Sequence, residues 1–202
     1  MHRPAPHQHT LAVLKIALNQ EEPMQTWLAL LRGVNVGGRN LVSMKALAAS
    51  LEVAGFQAIQ TYLQSGNVII DSPIRSRSRL ADCLCEVIHE GFGFRPSVFM
   101  MTKHELAGAL AANPFMEAVR EPKSLHFVFL DSALKTFDRD GLEQLATATE
   151  RFELIGRVFY LYAPDGIGRS KLAAGVERKL GVATTARNYN TCRKLATMLG
   201  IA

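Results

Sequence analysis

Residues with the chemistry to hold an anion are concentrated in a loop that follows the first predicted strand. Residues 32–40 contain two arginines, two asparagines and three glycines, and no acidic residue. Arginine offers charge-assisted donors that fit phosphate or carboxylate, and glycine lets a backbone approach a ligand closely. The loop therefore predicts a phosphate cradle or a polynucleotide contact; the alternative is a tight turn whose glycines serve only geometry and whose asparagines cap. Its candidate ligand-binding residues are Arg32, Asn35, Gly37, Gly38 and Asn40.

A second basic loop lies between a predicted strand and a predicted helix, at residues 163–175. Arg169, Ser170 and Lys171 fall at or near the helix start, where free backbone N–H groups and a partial positive charge attract anions. Basic side chains at that end oppose the helix dipole, which favours a bound anion as the reason for their presence. The alternative is a Pro-Asp-Gly turn with solvated charges.

The third candidate loop, residues 184–194, joins the last predicted strand to the last predicted helix. It holds two arginines, two asparagines, three threonines and a tyrosine, without an acid. Arg187, Asn188 and Asn190 are its candidate ligand-binding residues. Either asparagine could instead cap the helix, and Tyr189 could stack on a base or pack into the core.

A weaker fourth candidate is the predicted hairpin at residues 61–68. Ser65 and Asn67 could contribute to ligand binding, or they could serve turn chemistry alone. Both alternatives remain open from the sequence.

No recognised catalytic signature accompanies these loops: H-E-x-x-H, G-x-S-x-G and the Walker loop do not occur. His89, His104 and His126 have no metal-ligand spacing, and three cysteines are too few for a disulfide framework. We therefore predict no metal site and no cofactor. The cysteine usage indicates a reducing, cytoplasmic compartment.

The composition predicts a folded protein that tolerates an anionic partner. The chain of 202 residues is 48% hydrophobic and 20% charged, which is not the composition of a disordered chain. Its net charge of +5 permits nucleic acid, a nucleotide or a phosphorylated metabolite as partner, without requiring one. No apolar run approaches the ~20 residues of a membrane span, so we expect no membrane partner.

The elements that must position these loops repeat along the chain. Residues 24–102 spell β-α-β-β-α-β, and residues 123–202 spell the same order, with a helix over 138–149 and a further helix at the end. The glycine hairpins SGNVII and IGRVFY also resemble each other. The pattern predicts an α+β protein of two tandem ferredoxin-like (α/β-plait, βαββαβ) domains. Residues 103–122 would form a connecting helix and linker, and residues 1–23 an extension that we expect to be poorly ordered.

Five motifs give the sequence a family resemblance. They are LLRGVNVGGRN (30–40), TYLQSGNVII (61–70), ANPF (112–115), DGIGRSKL (165–172) and ATTARNYNT (183–191). In this order they resemble a bacterial family classified as a domain of unknown function, over about residues 24–202. The resemblance implies a tandem pair of ferredoxin-like domains and no established activity, substrate or cofactor. Members usually carry Ile at Val34 and Trp at Tyr189, so this chain keeps an aromatic ring there but lacks the indole.

The leading interpretation is an anion-binding protein in which loops of both domains form one polar, basic surface. Nucleic acid or a nucleotide is the first candidate partner, by analogy with other plait domains. An alternative is an enzyme acting on a phosphorylated small molecule, with Lys171 or Arg187 stabilising charge and Asp165 as the acid inside the loops. A second alternative is a structural or interaction protein whose polar loops cement the two domains together.

Overall fold

The computed structural model describes residues 23–201. The chain divides into two compact units, of which the first ends at Lys103 and the second begins at His104. The predicted N-terminal extension, apart from Pro23, lies outside the described residues.

The first unit is a four-stranded antiparallel sheet with two helices. The elements are β1 (Gln25–Arg32), α1 (Met44–Ala54), β2 (Gln57–Tyr62), β3 (Asn67–Ser72), α2 (Arg77–Phe92) and β4 (Ser97–Thr102). The sheet order is β2-β3-β1-β4, so the first strand of the chain lies inside the sheet. Ser43 and Gly55 bound α1: the Ser43 hydroxyl accepts a hydrogen bond from the backbone N–H of Ala46, and Gly55 takes a left-handed conformation.

The core of this unit forms where the two helices pack on one face of the sheet. Strand β1 contributes every second residue to it, as the period of a strand requires, and each helix contributes residues spaced by three or four. The central members are Trp27, Ala29, Leu31, Leu47, Leu51, Leu80, Leu84 and Ile88, all buried.

The second unit also contains a four-stranded antiparallel sheet. The elements of this part of the chain are α3 (Lys103–Ala111), β5 (Leu125–Leu130), α4 (Arg139–Glu143), β6 (Arg151–Ile155), β7 (Val158–Tyr162), α5 (Lys171–Leu180), β8 (Thr184–Asn188) and α6 (Tyr189–Met198). The sheet order is β6-β7-β5-β8. Helices α4 and α5 pack on each other, and α6 packs on β5 and β8. The Tyr160 hydroxyl donates a hydrogen bond of 2.7 Å to the Ala109 carbonyl and so ties α3 to the sheet.

The two sheets and the six helices of the described residues agree with the predicted α+β class, and both strand orders are consistent with tandem ferredoxin-like domains. The helix predicted over residues 138–149 is wrong in length, since it covers only Arg139–Glu143. Asp138 caps its start through the Gly141 N–H (2.9 Å), but the Thr147 N–H donates to the Glu150 carboxylate (2.9 Å) and closes a turn there.

No helix among the described residues is long and apolar enough to cross a membrane. Cys83, Cys85 and Cys192 are free thiols.

Candidate functional site

The loop after β1 is a miniature hairpin built from left-handed backbone. The Arg39 N–H donates to the Val36 carbonyl (3.1 Å), and Gly37 and Gly38 between them both have positive φ. This is the type I′ geometry that glycine pairs favour. The five residues of the loop with φ between 51° and 73° are Gly33, Asn35, Gly37, Gly38 and Asn40.

Two asparagine side chains hold this loop in shape. The Asn35 amide nitrogen donates to the carbonyls of Val42 (2.9 Å) and Gln64 (2.8 Å), and its oxygen accepts from the Val42 N–H (2.8 Å). The Asn40 amide donates to the Gly33 carbonyl (2.9 Å). The amides of these two predicted ligand-binding residues are therefore engaged with the protein's own backbone.

The β2–β3 turn lies beside this loop, because Asn35 bonds to its Gln64. The Asn67 side chain is fully buried and donates to the Tyr62 carbonyl (2.8 Å) and to the Ser65 hydroxyl (3.1 Å). A Cβ atom on Gly66 would come within 2.7 Å of the Leu31 Cβ, so only glycine fits against β1 here. Ser65 and Asn67 thus form turn contacts, which the sequence left open as an alternative to binding.

The outer surface of the loop after β1 is basic and partly apolar. Arg32, Arg39, Gly37 and Gly38 are all exposed, and a Cβ atom on either glycine would meet nothing within 4 Å. The exposed large hydrophobic residues of this region are Val36, Leu41 and Leu63. An arginine and an accessible glycine backbone are what an anion contact requires.

In the second unit, the loop before α5 is organised by its capping serine. Ser170 is buried and its hydroxyl accepts from the Ala173 N–H (2.8 Å), whereas Arg169 and Lys171 on either side of it are exposed. The first turn of α5 contains no acidic residue. The Asp165 carboxylate accepts a hydrogen bond from the Thr149 hydroxyl (2.6 Å).

The junction of β8 and α6 buries its arginine. Arg187 is only 8% exposed, and its guanidinium donates to the Thr185 hydroxyl (3.0 Å) and the Ala186 carbonyl (2.8 Å). Burial lowers the pKa of Arg187 to about 10, because removing water disfavours the charged form. The Asn188 side chain caps α6 by accepting from the Thr191 N–H (2.9 Å).

The aromatic residue of this junction lies against the sheet. The Tyr189 ring is half-buried, with its centroid 6.0 Å from that of Phe127 and the two rings inclined by 56°. Asn190, the next residue, is exposed. The adjacent Cys192 is fully buried, which raises the pKa of its thiol to about 12.

A cavity between α3 and α6 contains residues that the sequence analysis missed. Its volume is about 660 Å³, and Tyr189 and Arg193 are among the residues that line it. Arg193 lies four residues after Tyr189, on the same face of α6, and this helical spacing could have identified it. The loop sequence alone does not reveal the cavity, because the lining from α3 is distant in sequence.

A smaller cavity of about 390 Å³ lies beside β6. Its arginines are already paired: Arg139 contacts Glu153 (2.8 Å), and Arg151 contacts Glu117 (2.8 Å) while its guanidinium lies 5.3 Å from the Phe115 ring centre. Paired charges leave this cavity less suited to an anion than the basic loops. Within residues 23–201, no group of three His, Cys, Asp or Glu side chains is arranged to hold a metal ion.

Comparison with protein-family models identifies the family. The model described as "Protein of unknown function (DUF1697)" matches residues 24–160, so the chain belongs to this family. The resemblance is thereby confirmed, over a shorter range than the 24–202 expected from the motifs. The matched range contains the motif positions 30–40, 61–70 and 112–115, whereas the positions 165–172 and 183–191 lie beyond it.

Among solved structures, the chain is similar to a conserved bacterial protein, SP0830, from Streptococcus pneumoniae. The TM-score is 0.65 at 23% sequence identity, and the alignment covers 88% of this chain and 99% of that one. At this identity the similarity supports the fold. No curated protein matches the chain.

Proposed function

We propose that this protein, on a scaffold of two tandem ferredoxin-like domains, binds an anionic ligand of the nucleic acid or nucleotide class through exposed basic loops. The observation that carries the proposal is the construction of the loop after β1. Two non-glycine residues there, Asn35 and Asn40, hold left-handed backbone that costs free energy outside glycine, and their amides fix it. A cost in conformational free energy is expected in a loop that must present a defined surface to a ligand.

What this loop presents to solvent favours an anion. Arg39 stands next to two accessible glycines, and Arg32 is exposed at the end of β1. Arginine forks and glycine backbone N–H groups are both suited to phosphate oxygens. The loop contains no carboxylate that would compete for the guanidinium groups.

The second unit offers an analogous basic surface before α5. Arg169 and Lys171 are exposed around a capped helix start whose first turn has no acid. Placed against the helix dipole, these cations repel the local backbone charge, and a bound anion would relieve that repulsion.

The predicted site residues, together with Arg39, are assigned two proposed roles. Exposed basic residues, the two accessible glycines and Asn190 are proposed to contact the ligand, and residues whose side chains brace a loop or cap a helix are proposed to hold the loops. The first class comprises Arg32, Gly37, Gly38, Arg39, Arg169, Lys171 and Asn190. The second comprises Asn35, Asn40, Ser65, Asn67, Ser170, Arg187 and Asn188.

The proposal is tested by the salt dependence of binding to a short fluorescein-labelled single-stranded RNA, measured by fluorescence anisotropy. Counterion release predicts that log Kd rises linearly with log salt concentration. Arg39→Ala and Arg169→Ala should each weaken binding and each reduce the slope by about 0.7, the contribution of one phosphate contact on a single strand.

Arg178→Ala is the matched control, because Arg178 is an exposed arginine near the other end of α5. It should leave the affinity within about twofold of the unmodified protein and the slope unchanged. Competition with a nucleoside triphosphate then separates a polymer ligand from a mononucleotide. Binding that does not respond to salt, or no binding of either ligand, would contradict the proposal.

A further inference from the structure

The walls of the cavity between α3 and α6 are two helix faces of the second unit. Helix α3 contributes Ala107, Leu110 and Ala111, which recur at the spacing of one helical face. Helix α3 itself is tied to the sheet, because the Ala109 carbonyl accepts a hydrogen bond from the buried Tyr160 hydroxyl (2.7 Å). The wall therefore has a fixed position relative to β7.

Helix α6 supplies the opposite wall and the polar groups. Tyr189, Arg193, Ala196 and Thr197 follow one another at helical spacing, so they share one face of α6. The Tyr189 ring is braced by the Phe127 ring at a centroid distance of 6.0 Å. The Thr197 hydroxyl donates to the Arg193 carbonyl (3.1 Å) and keeps an oxygen that can accept.

The C-terminal end of α6 closes one side of the cavity. Gly200 has a φ of 64°, and Ile201 turns back so that its N–H bonds to the Ala196 carbonyl (2.9 Å). The Gly200 N–H bonds to the Thr197 carbonyl (3.0 Å), which completes a Schellman motif. This motif brings the Ile201 side chain to the cavity lining.

The described residues of the cavity lining include basic and neutral groups but no acidic group. Among the described residues that form it, the side chains are small or apolar except for the Tyr189 phenol, the Thr197 hydroxyl and the Arg193 guanidinium, and none is a carboxylate. Arg193 is exposed and forms no ion pair with a described carboxylate. A volume of about 660 Å³ is within the range of small-molecule sites.

We infer that this cavity binds a small organic monoanion with an apolar aromatic or aliphatic body. The apolar body lies between the faces of α3 and α6, and the anionic group receives hydrogen bonds from the Arg193 guanidinium. Tyr189 contacts the body with its ring. Tyr189 and Arg193 belong to the third candidate loop, but the site uses neither the loop after β1 nor the loop before α5, and its ligand differs from theirs in carrying apolar bulk.

The test uses two fluorescent probes that share their ring system and differ by one sulfonate group. 8-Anilinonaphthalene-1-sulfonate carries a sulfonate, and N-phenyl-1-naphthylamine has the same rings without it. We expect the folded full-length protein to bind the sulfonate probe at one site. Arg193→Ala should weaken the binding of the sulfonate probe about tenfold, because a charge-assisted hydrogen bond is lost. The affinity for the neutral probe should change by less than about twofold.

A substitution that fills the cavity should abolish the binding of both probes. Ala111 is exposed at the end of α3, so Ala111→Trp can place an indole in the cavity without disturbing the core. Matched controls are Ala174→Trp and Arg178→Ala at exposed positions of α5, which should leave both probes unaffected. Displacement by octanoate, octyl phosphate and octanol then identifies the preferred head group.

Several outcomes would overturn the inference. One is sulfonate binding that survives Ala111→Trp, because the probe would then bind elsewhere. Another is an equal loss of affinity for both probes in Arg193→Ala, which would show that Arg193 contributes through packing and not by recognising the charge. Thermal melts of each variant exclude binding to a loosened fold. RNA binding by the loops should be unchanged in Ala111→Trp, so failure here and failure of the proposed function are distinguishable.

Discussion

Gly66 and Gly156 occupy the same place in the two units, the turn before the third strand of each sheet, but their surroundings differ. A Cβ atom on Gly66 would lie 2.7 Å from the Leu31 Cβ, whereas one on Gly156 would meet nothing within 4 Å. Both have positive φ, 75° and 59°. The first turn is pressed against its neighbouring strand, and the second is open.

The groups that tie these turns to the sheets also differ. In the first unit, neutral amides do so: Asn67 bonds to Tyr62, and Asn35 bonds to Gln64. In the second unit, the Arg157 guanidinium donates to the carbonyls of Leu130 (3.0 Å) and Asp131 (2.9 Å). Arginine is therefore a structural residue in the turn of the second unit, while asparagine has this role in the first.

The largest effect is expected at Gly66, with Gly156 as its comparison. Gly66→Ala adds a steric clash with Leu31 to the cost of positive φ, and should lower the free energy of unfolding by about 3 kcal/mol. Gly156→Ala has only the conformational cost, about 1 kcal/mol. Urea denaturation of both variants measures the difference, and equal losses would mean that Gly66 is not pressed against β1.

An intermediate effect is expected at Asn35, whose amide makes three hydrogen bonds. Asn35→Ala should cost about 2 kcal/mol, because it loses these bonds and places a Cβ residue without a compensating amide at a φ of 55°. Asn35→Gly loses the same hydrogen bonds, but glycine adopts positive φ without strain, so this variant should lose less free energy of unfolding than Asn35→Ala. As the control, Asn190→Ala at an exposed position should change the free energy of unfolding by no more than about 0.5 kcal/mol. A Gly variant as unstable as the Ala variant would show that the backbone is not strained.

The smallest effect concerns a pair of equivalent strand positions. His126 is buried opposite Leu161, whereas the matching position in the first unit has Thr26 bonded to Asp71 (2.6 Å). Burial lowers the pKa of His126 below its usual 6.5. The unfolded chain therefore binds the proton more readily, and stability should fall as the pH drops through about 6.5 and below.

Urea denaturation between about pH 7.5 and 5.5 measures this dependence. His126→Phe should flatten it, and the exposed His104→Gln should leave it as it is. An unchanged slope in His126→Phe would assign the dependence to other groups.

The order of elements could be predicted because each signal is local. Ser43 with Gly55, and Ser170 with Gly181, mark where helices begin and end, and the structure uses them as caps. The length of α4 could not be predicted this way, since its end depends on the Glu150 carboxylate folding back to the Thr147 N–H.

Which polar residues of a loop face outwards could not be predicted from residue type. Arg39 and Arg187 both lie in acid-free loops, yet one is exposed and the other is buried. The difference arises from strand register, because Arg187 shares its face of β8 with the buried Thr185 while Ala186 between them is exposed. The register depends on pairing with β5, which is distant in the sequence.

The most direct test of the account is Arg187→Ala, measured for both stability and RNA binding. Loss of a buried guanidinium should lower the free energy of unfolding by about 2 kcal/mol, because the Thr185 hydroxyl and the Ala186 carbonyl lose their donor. Its RNA affinity, measured by anisotropy under folding conditions, should stay within about twofold of that of the unmodified protein. Arg39→Ala should instead keep its stability and bind RNA more weakly. An Arg187→Ala variant of unchanged stability that binds RNA tenfold more weakly would contradict the division between residues whose side chains hold the loops and exposed residues that bind the ligand.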